Sequence, residues 1–337
     1  MENPLLPEPQ VYVIHENSEW LPPIAAALDA EGVPWSPWLL DGGGIDLTAA
    51  PPPGVFWSRM SASAHTRGHT AAVEQARGVL SWLEAHGRRV VNGRRVLELE
   101  LSKVDQLVAL QAAGIDVPRT VAVSGDEALL AAAADFPTPF LTKHNRGGKG
   151  LGVARYDSVD ELAVALKDPY LDVPVDGITL LQEYLPPAGG VITRVEIVGG
   201  EFLYALTADV VRGGFQLCPA DACAVDGSDD ASLFAQRENF DDPIVGRYLD
   251  FADSAGIEVA GIEFLETSDG RKVTYDINTN TNYNPDVEAA APRSGPKAAA
   301  RFLSRLLNQT DTARTDTART DTATADTATA TTDGTAR

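Results

Sequence analysis

The chain has 337 residues, a formal net charge of −21 and 44% hydrophobic residues, enough apolar material to bury a core in two or three lobes. So acidic a balance repels phosphate backbones and anionic lipid surfaces, which excludes nucleic acid as the main partner. Cys218 and Cys223, in LCPADAC, lack the spacing of a redox pair or a metal site, and the first residues show neither a basic leader nor a long apolar run, so no signal peptide or membrane span is expected and the cytoplasm is the expected compartment.

In chain order, QVYVI reads as a buried strand, and LPPIAAALDAEGVPW as a helix closed by Gly32 that leads to a second strand. GVFWSR, HTAAVEQARGVLSWLEAHG and RRVVNG continue as strand, helix and strand. A small α/β lobe over residues 1–95 follows from this alternation. SKVDQLVALQAAG is next, a helix with Ser102 as N-cap and Gly114 as its stop. Beyond it the runs PFLTK, LGVARY, ITLLQEYL, TRVEIVGGEFLYALT, EVAGIEFLET and KVTYDIN read as strands. Helices are expected over DEALLAAAAD, SVDELAVAL, DPIVGRYLDFADSAG and KAAARFLSRLL. This is a mixed, largely antiparallel α+β region over residues 96–307. The repeat TDTARTDTARTDTATADTATATTDGTAR within residues 308–337 has no apolar periodicity, and disorder is expected there.

The stretch YDINTNTNYN alternates a carboxylate and then amides at every second position. GIEFLET and KVTYDIN flank Asp269-Gly270, a dipeptide suited to a two-residue type I′ hairpin turn. That turn sets Glu263 directly across from Asp276, with Cβ atoms about 4.5–5.5 Å apart, where two like charges need compensation. A divalent cation supplies it, and Asn278, two residues on and on the same face, adds an amide oxygen. Three hard oxygen donors with room for water and phosphate suit Mg²⁺. Asn280, Asn282 and Asn284 would then line a polar pocket as the strand frays. The alternative, on this stretch alone, is a polar strand edge exposed to solvent.

PFLTKHNRGGKGLGVARY joins two strands through Gly147, Gly148, Gly150 and Gly152. Lys149 is followed by glycine rather than Ser or Thr, and no helix opens there, so neither a Walker A loop nor a dinucleotide fingerprint is present. What remains is a glycine flap with Lys143, Arg146 and Lys149, whose backbone N–H groups and cations suit phosphate. A hairpin without a ligand is the alternative reading. His65 and His69 have i, i+4 spacing but lack the glutamate of H-E-x-x-H, so zinc is not expected. Arg59 and Arg212 are candidate substrate contacts, set against solvated positions near strand ends.

The ordered series SKVDQLVALQAAGIDVPRT, FLTKHNRGGKGLGV, LLQEYL, TRVEIVGGEFLYAL and GIEFLET with YDIN resembles the ATP-grasp superfamily, most closely the RimK-like and glutathione synthetase-like carboxylate–amine ligases, from about Arg94 to Leu307. The resemblance implies an ATP-grasp fold of α/β and α+β parts, preceded by an N-terminal pre-ATP-grasp lobe. It implies that Lys103, Lys143 and the loop Asn145, Gly147, Gly148, Lys149 and Gly150 hold ATP phosphates. Gln182, Glu183 and Leu185 match the adenine hinge, Arg194 the arginine that steadies the transferred phosphoryl, and Glu263, Asp276 and Asn278 the ligands of magnesium, with two ions expected and Mn²⁺ as a substitute. Thr279-Asn280-Thr281-Asn282 departs from the small residues and Pro-Gly usual after the metal asparagine, so the resemblance does not name the acceptor; Asn280 is a candidate contact to it. The implied reaction activates a carboxylate as an acyl phosphate with release of ADP and joins it to an amine, on a small molecule or peptide, and a homo-oligomer is compatible with it. A kinase on the same fold and an inactive nucleotide-binding protein are the alternatives.

Overall fold

The computed structural model describes residues 8–148, 150, 152–214 and 233–310. The expectations for Lys149, the two cysteines and nearly all of the Thr/Asp/Ala tail fall outside these residues.

The first sheet is parallel, in the order β2-β1-β3-β4, with β1 Gln10–His15, β2 Trp35–Leu39, β3 Gly54–Arg59 and β4 Arg89–Val91. Pro37 lies in β2, the edge strand, where a missing ladder donor does least harm. Helix α1, Pro22–Ala30, covers one face, with Val13, Trp57 and Leu28 in a shared core, and α2, Ala72–Ala85, covers the other through Ile14, Phe56 and Leu80.

An element that the residue pattern did not announce follows: α3, Arg94–Leu101. RRVLELEL alternates apolar and charged residues as a strand would. It is a helix because it wedges between two cores, giving Val96 and Leu99 to the one that holds Ile262 and Phe264 and giving Leu97 and Leu101 to the first lobe. Helix α4, Lys103–Ala112, starts at once, with the Ser102 hydroxyl accepting from the Asp105 N–H (3.1 Å).

The second sheet is antiparallel, in the order β5-β8-β6-β7, with β5 Thr120–Val123, β6 Phe140–His144, β7 Ala154–Tyr156 and β8 Thr179–Glu183. Helices α5, Asp126–Ala134, and α6, Val159–Ala165, close its core around Phe140 and Leu181. The third sheet is also antiparallel, in the order β11-β10-β9-β12-β13, with β9 Val191–Val198, β10 Glu201–Asp209, β11 Phe234–Gln236, β12 Val259–Glu266 and β13 Lys272–Asn278. A short turn of helix, α7 Val210–Gly213, follows β10, and α8, Pro243–Ala255, packs Tyr248 and Phe251 under Ile262 and Phe264. Another short helix, α9 Pro285–Ala290, and a last one over residues 295–310 complete the described chain.

The first lobe is tied to the third sheet by Asn92, a buried residue with φ of 52° at the end of β4. Its amide donates to the carbonyls of Val259 (2.7 Å) and Thr279 (3.0 Å) and accepts from the Glu258 (3.0 Å) and Val259 (3.2 Å) N–H groups. Asparagine tolerates the left-handed backbone, and its short amide can reach four partners there. An Arg89–Glu258 ion pair lies beside it.

Candidate active site

The β12–β13 hairpin pairs Glu263 with Asp276 and Gly261 with Asn278, the register expected of it, by a different route. Asp269 has no positive φ while Gly270 does, at 84°, and the Gly270 N–H bonds to the Thr267 carbonyl (2.9 Å). The loop is therefore longer than a two-residue type I′ turn. Taken alone it would have shifted the pairing by one residue. A bulge at Tyr275 restores it, because Phe264 pairs with Thr274 while Glu263 pairs with Asp276. Thr274 and Asp276 consequently face opposite ways: Thr274 is within 2.6 Å of the Tyr248 hydroxyl in the core, and Asp276 lines a cavity of 600 Å³.

Glu263, Asp276 and Asn278 converge there, with the Asn278 amide 3.3 Å from Glu263 Oε1 and 3.5 Å from Asp276 Oδ2. Turning that amide over presents its oxygen instead, so two carboxylates and an amide fit the hard donor set of Mg²⁺. Among the described residues no group of three His, Cys, Asp or Glu side chains could hold a metal; only two of these three donors are acids. Tyr275, turned the same way by the bulge, donates to Glu263 Oε2 (3.0 Å).

Cations interleave with the acids. Arg194, 3% exposed, lies on β9 beside Glu263 and donates to Glu196 (2.6 Å), Glu263 (2.8 Å) and the Thr281 hydroxyl (2.7 Å). Burial disfavours its charge, but Glu196 and Glu263 more than compensate and hold it firmly protonated. Gly261 is what lets it lie there, since a Cβ at that position would overlap the guanidinium. Lys103 forms an ion pair with Asp276; burial works against its charge, and Asp276 carries its pKa above the usual value nonetheless. Lys143, on β6, is buried near the Tyr275 carbonyl (3.4 Å), and desolvation together with the charge of Lys103 brings its pKa down to about 7.

The cavity continues between the second and third sheets. Gly147, Gly148 and Gly150 line it above Lys103 and Lys143, and Gln182, Glu183 and Leu185 line it at the end of β8, with Leu141, Val153, Ile192 and Leu265 forming apolar walls. A slot with apolar walls and a backbone edge at one end, and cations with exposed N–H groups at the other, suits a nucleoside polyphosphate.

Asn145, Asn284 and Arg212 are not among the residues that line this cavity. Asn145 braces rather than lines the cavity: its oxygen caps α4 at the Val104 N–H (2.9 Å) and its nitrogen donates to Asp176 (2.7 Å). Asn284 is the N-cap of α9, accepting from Asp286 and Val287, while Asn280 and Asn282 do line the cavity. Arg212 lies exposed on α7, and Val210 and Val211 reach the cavity instead. Arg59 sits one layer behind the wall, held by residues that form it.

Two supporting residues had no signal in the residue pattern. Gln106 on α4, 1% exposed, clamps Ile277 on the outer edge of β13, donating to its carbonyl (2.8 Å) and accepting from its N–H (3.0 Å). It fixes the peptide unit between Asp276 and Asn278. Glu100 accepts from the Thr279 N–H (2.7 Å) and hydroxyl (2.9 Å) and from the Ala62 N–H (3.3 Å), joining the strand end to the first lobe. Burial raises its pKa.

No protein-family model matches the chain. It is 25% identical over 241 residues to a probable alpha-L-glutamate ligase of Mannheimia succiniciproducens, covering 70% of this chain and 73% of that protein. A RimK domain ATP-grasp protein from Sphaerobacter thermophilus superposes with a TM-score of 0.64 at 17% identity, over 87% of this chain and 98% of the other. The ATP-grasp ligase PsnB, complexed with a minimal precursor, Mg and ADP, gives 0.60 at 16% identity, over 88% and 96%.

Proposed function

We infer that this RimK-like ATP-grasp ligase joins a carboxylate to an amine through an acyl phosphate, releasing ADP and phosphate. The reading rests most on one observation: Glu263, Asp276 and Asn278 meet across the hairpin within reach of Arg194, Lys103 and Lys143, in one cavity with the glycine loop. The names of its relatives, a glutamate ligase and a ligase holding Mg, ADP and a precursor, support a nucleotide with magnesium and an amino acid or peptide as substrate.

In this reading Lys103, Lys143 and the N–H groups of the glycine loop bind the phosphates of ATP. Glu263, Asp276 and Asn278 hold magnesium, two ions with Mn²⁺ able to substitute, which neutralises phosphate charge when bound. A substrate carboxylate oxygen attacks the γ-phosphorus and ADP leaves; the amine then attacks the acyl carbon and phosphate leaves. Arg194, preset by Glu196, Glu263 and Thr281, stabilises the charge that grows on the transferred group without having to reorganise. No protein nucleophile is needed.

The test is ADP release from Mg-ATP over a panel of amino acids and peptides, singly and in pairs, with Asp276→Ala as control. Turnover that needs both an acid and an amine, an amide product by mass, and none of it from the variant are expected. A phosphorylated hydroxyl as product would replace the ligase by a kinase, and nucleotide binding without turnover on any pair would leave a binding protein.

A further inference from the structure

Arg59 ends β3 directly beside His15, the end of β1, at the carboxyl edge of the parallel sheet, where open α/β sheets place their ligands. It is 4% exposed. Its guanidinium donates to the Trp20 carbonyl (3.2 Å), the Thr281 carbonyl (2.9 Å) and the Asn282 amide oxygen (2.9 Å), and lies 5.1 Å from the centre of the Trp57 ring. All of these partners are neutral. Among the described residues no carboxylate pairs with it, and burial depresses its pKa to about 10. Most other buried or half-buried cations around the cavity differ: Arg194 has Glu196 and Glu263, Lys103 has Asp276, and Arg67 has Glu16, while Lys143, at the end assigned to phosphate, likewise bonds only to a carbonyl.

The surroundings repeat the pattern. Arg59 Nε, both ring nitrogens of His15 and Trp57 Nε1 are buried without a hydrogen-bond partner. Buried polar groups are normally satisfied, and a buried charge normally has a counter-charge. Glu16 and Asp41 lie near enough to act on His15, but no carboxylate is bonded to these donors, and such a cluster is the complement of a carboxylate. Trp20 and Asn282, which hold Arg59, also line the cavity that contains Arg194 and Asp276; Arg59 itself lies behind them, and access to it requires the Asn282 amide to turn aside.

Resting on the ligase reading, we propose that Arg59, with His15 and Trp57, receives a carboxylate of the amine-bearing substrate, which is therefore an α-amino acid or a peptide that keeps a free carboxylate. The carboxylate to be activated belongs at the opposite end, by Arg194 and the metal ligands. In a chain of net charge −21 a local cation of this kind is what offsets the repulsion of an acidic substrate.

The experiment compares α-amino acids with their α-amides as amine substrates, with L-glutamate and its α-amide first, at saturating Mg-ATP. The free acid should have a KM at least about tenfold below that of the amide, and Arg59→Gln should erase that ratio while Arg59→Lys keeps part of it. Equal use of acid and amide by the unaltered protein overturns the proposal, and this comparison requires no variant to fold. The same pairs are tested for thermal stabilisation of the Mg-ADP-loaded protein. Absence of turnover on every pair counts against the ligase reading; stabilisation by the acid and not the amide still supports the carboxylate site, and equal or absent stabilisation overturns it.

Discussion

At the hairpin end of the cavity Arg194 and Lys103 are each held by a carboxylate before any ligand arrives. At the first-lobe end Arg59 is surrounded by two carbonyls, an amide oxygen and an indole ring. The contrast separates machinery that must already be in place when charge develops from a surface whose balance is completed by what binds to it. The first kind is costly to disturb in both stability and rate. The second is costly mainly in recognition.

The largest effect should come from Arg194→Met, which strands Glu196, a fully buried carboxylate, without its partner. Breaking such a pair costs about 3–5 kcal/mol, and losing a preset transition-state donor costs about 10²–10³ in turnover. Arg59→Gln should cost only about 1–2 kcal/mol, since it removes hydrogen bonds to neutral groups and no ion pair. Chemical denaturation of the two variants side by side measures the gap, and equal losses would erase the distinction between the two ends. Next comes Gly261→Ala, whose methyl group must displace the Arg194 side chain; turnover should drop by about tenfold or more with the fold intact by circular dichroism.

Gln106→Glu retains an acceptor for the Ile277 N–H but loses the donor to its carbonyl. Partners that orient metal ligands typically contribute about 10–100-fold in metal affinity. The magnesium concentration giving half-maximal turnover should rise by that order while the nucleotide KM moves less. A shift of both together would make Gln106 merely structural. The smallest effect concerns Lys143. Its pKa of about 7 in the free protein rises when a phosphate sits against it. The protonated form is already present below that value, so nucleotide affinity is full there and falls as pH increases, by up to about tenfold per unit. Calorimetry in magnesium-free buffers of different ionisation enthalpy should show proton uptake on ADP binding above neutrality, and its absence would take Lys143 out of phosphate contact.

Strands and caps were legible wherever local chemistry decides them: β3 and β13 match the apolar runs residue for residue, and Ser102 caps α4 as its type predicts. The meeting of Glu263, Asp276 and Asn278 was legible from the strand alternation, whereas Lys103 and Arg194 were indicated by the family resemblance alone. α3 was not legible, since its alternating apolar and acidic residues acquire meaning only from the two cores on either side. Gln106 and Glu100, and the bracing part played by Asn145, were hidden for a related reason. Their amides and carboxylate act on backbone groups of segments distant in sequence, which no spacing along the chain records. Asn284 and Arg212 illustrate the converse, residue types that fit a site and were taken up by a helix cap and an exposed turn.

The bulge at Tyr275 divides the hairpin into two halves that answer to different constraints. On its cavity side the pairing is pinned by Asn92 holding the Thr279 carbonyl and by the Gln106 clamp; on its far side the loop at residues 268–270 is exposed. Changes in length at the tip can be absorbed without rotating Asp276 out of the cavity, which makes Asp269-Gly270 a permissive insertion point for a reporter peptide. Deleting Tyr275 instead would remove the bulge and the hydroxyl that donates to Glu263 while leaving Asp276 directly across from Glu263, so the carboxylate pair survives the loss of the residue between the two halves.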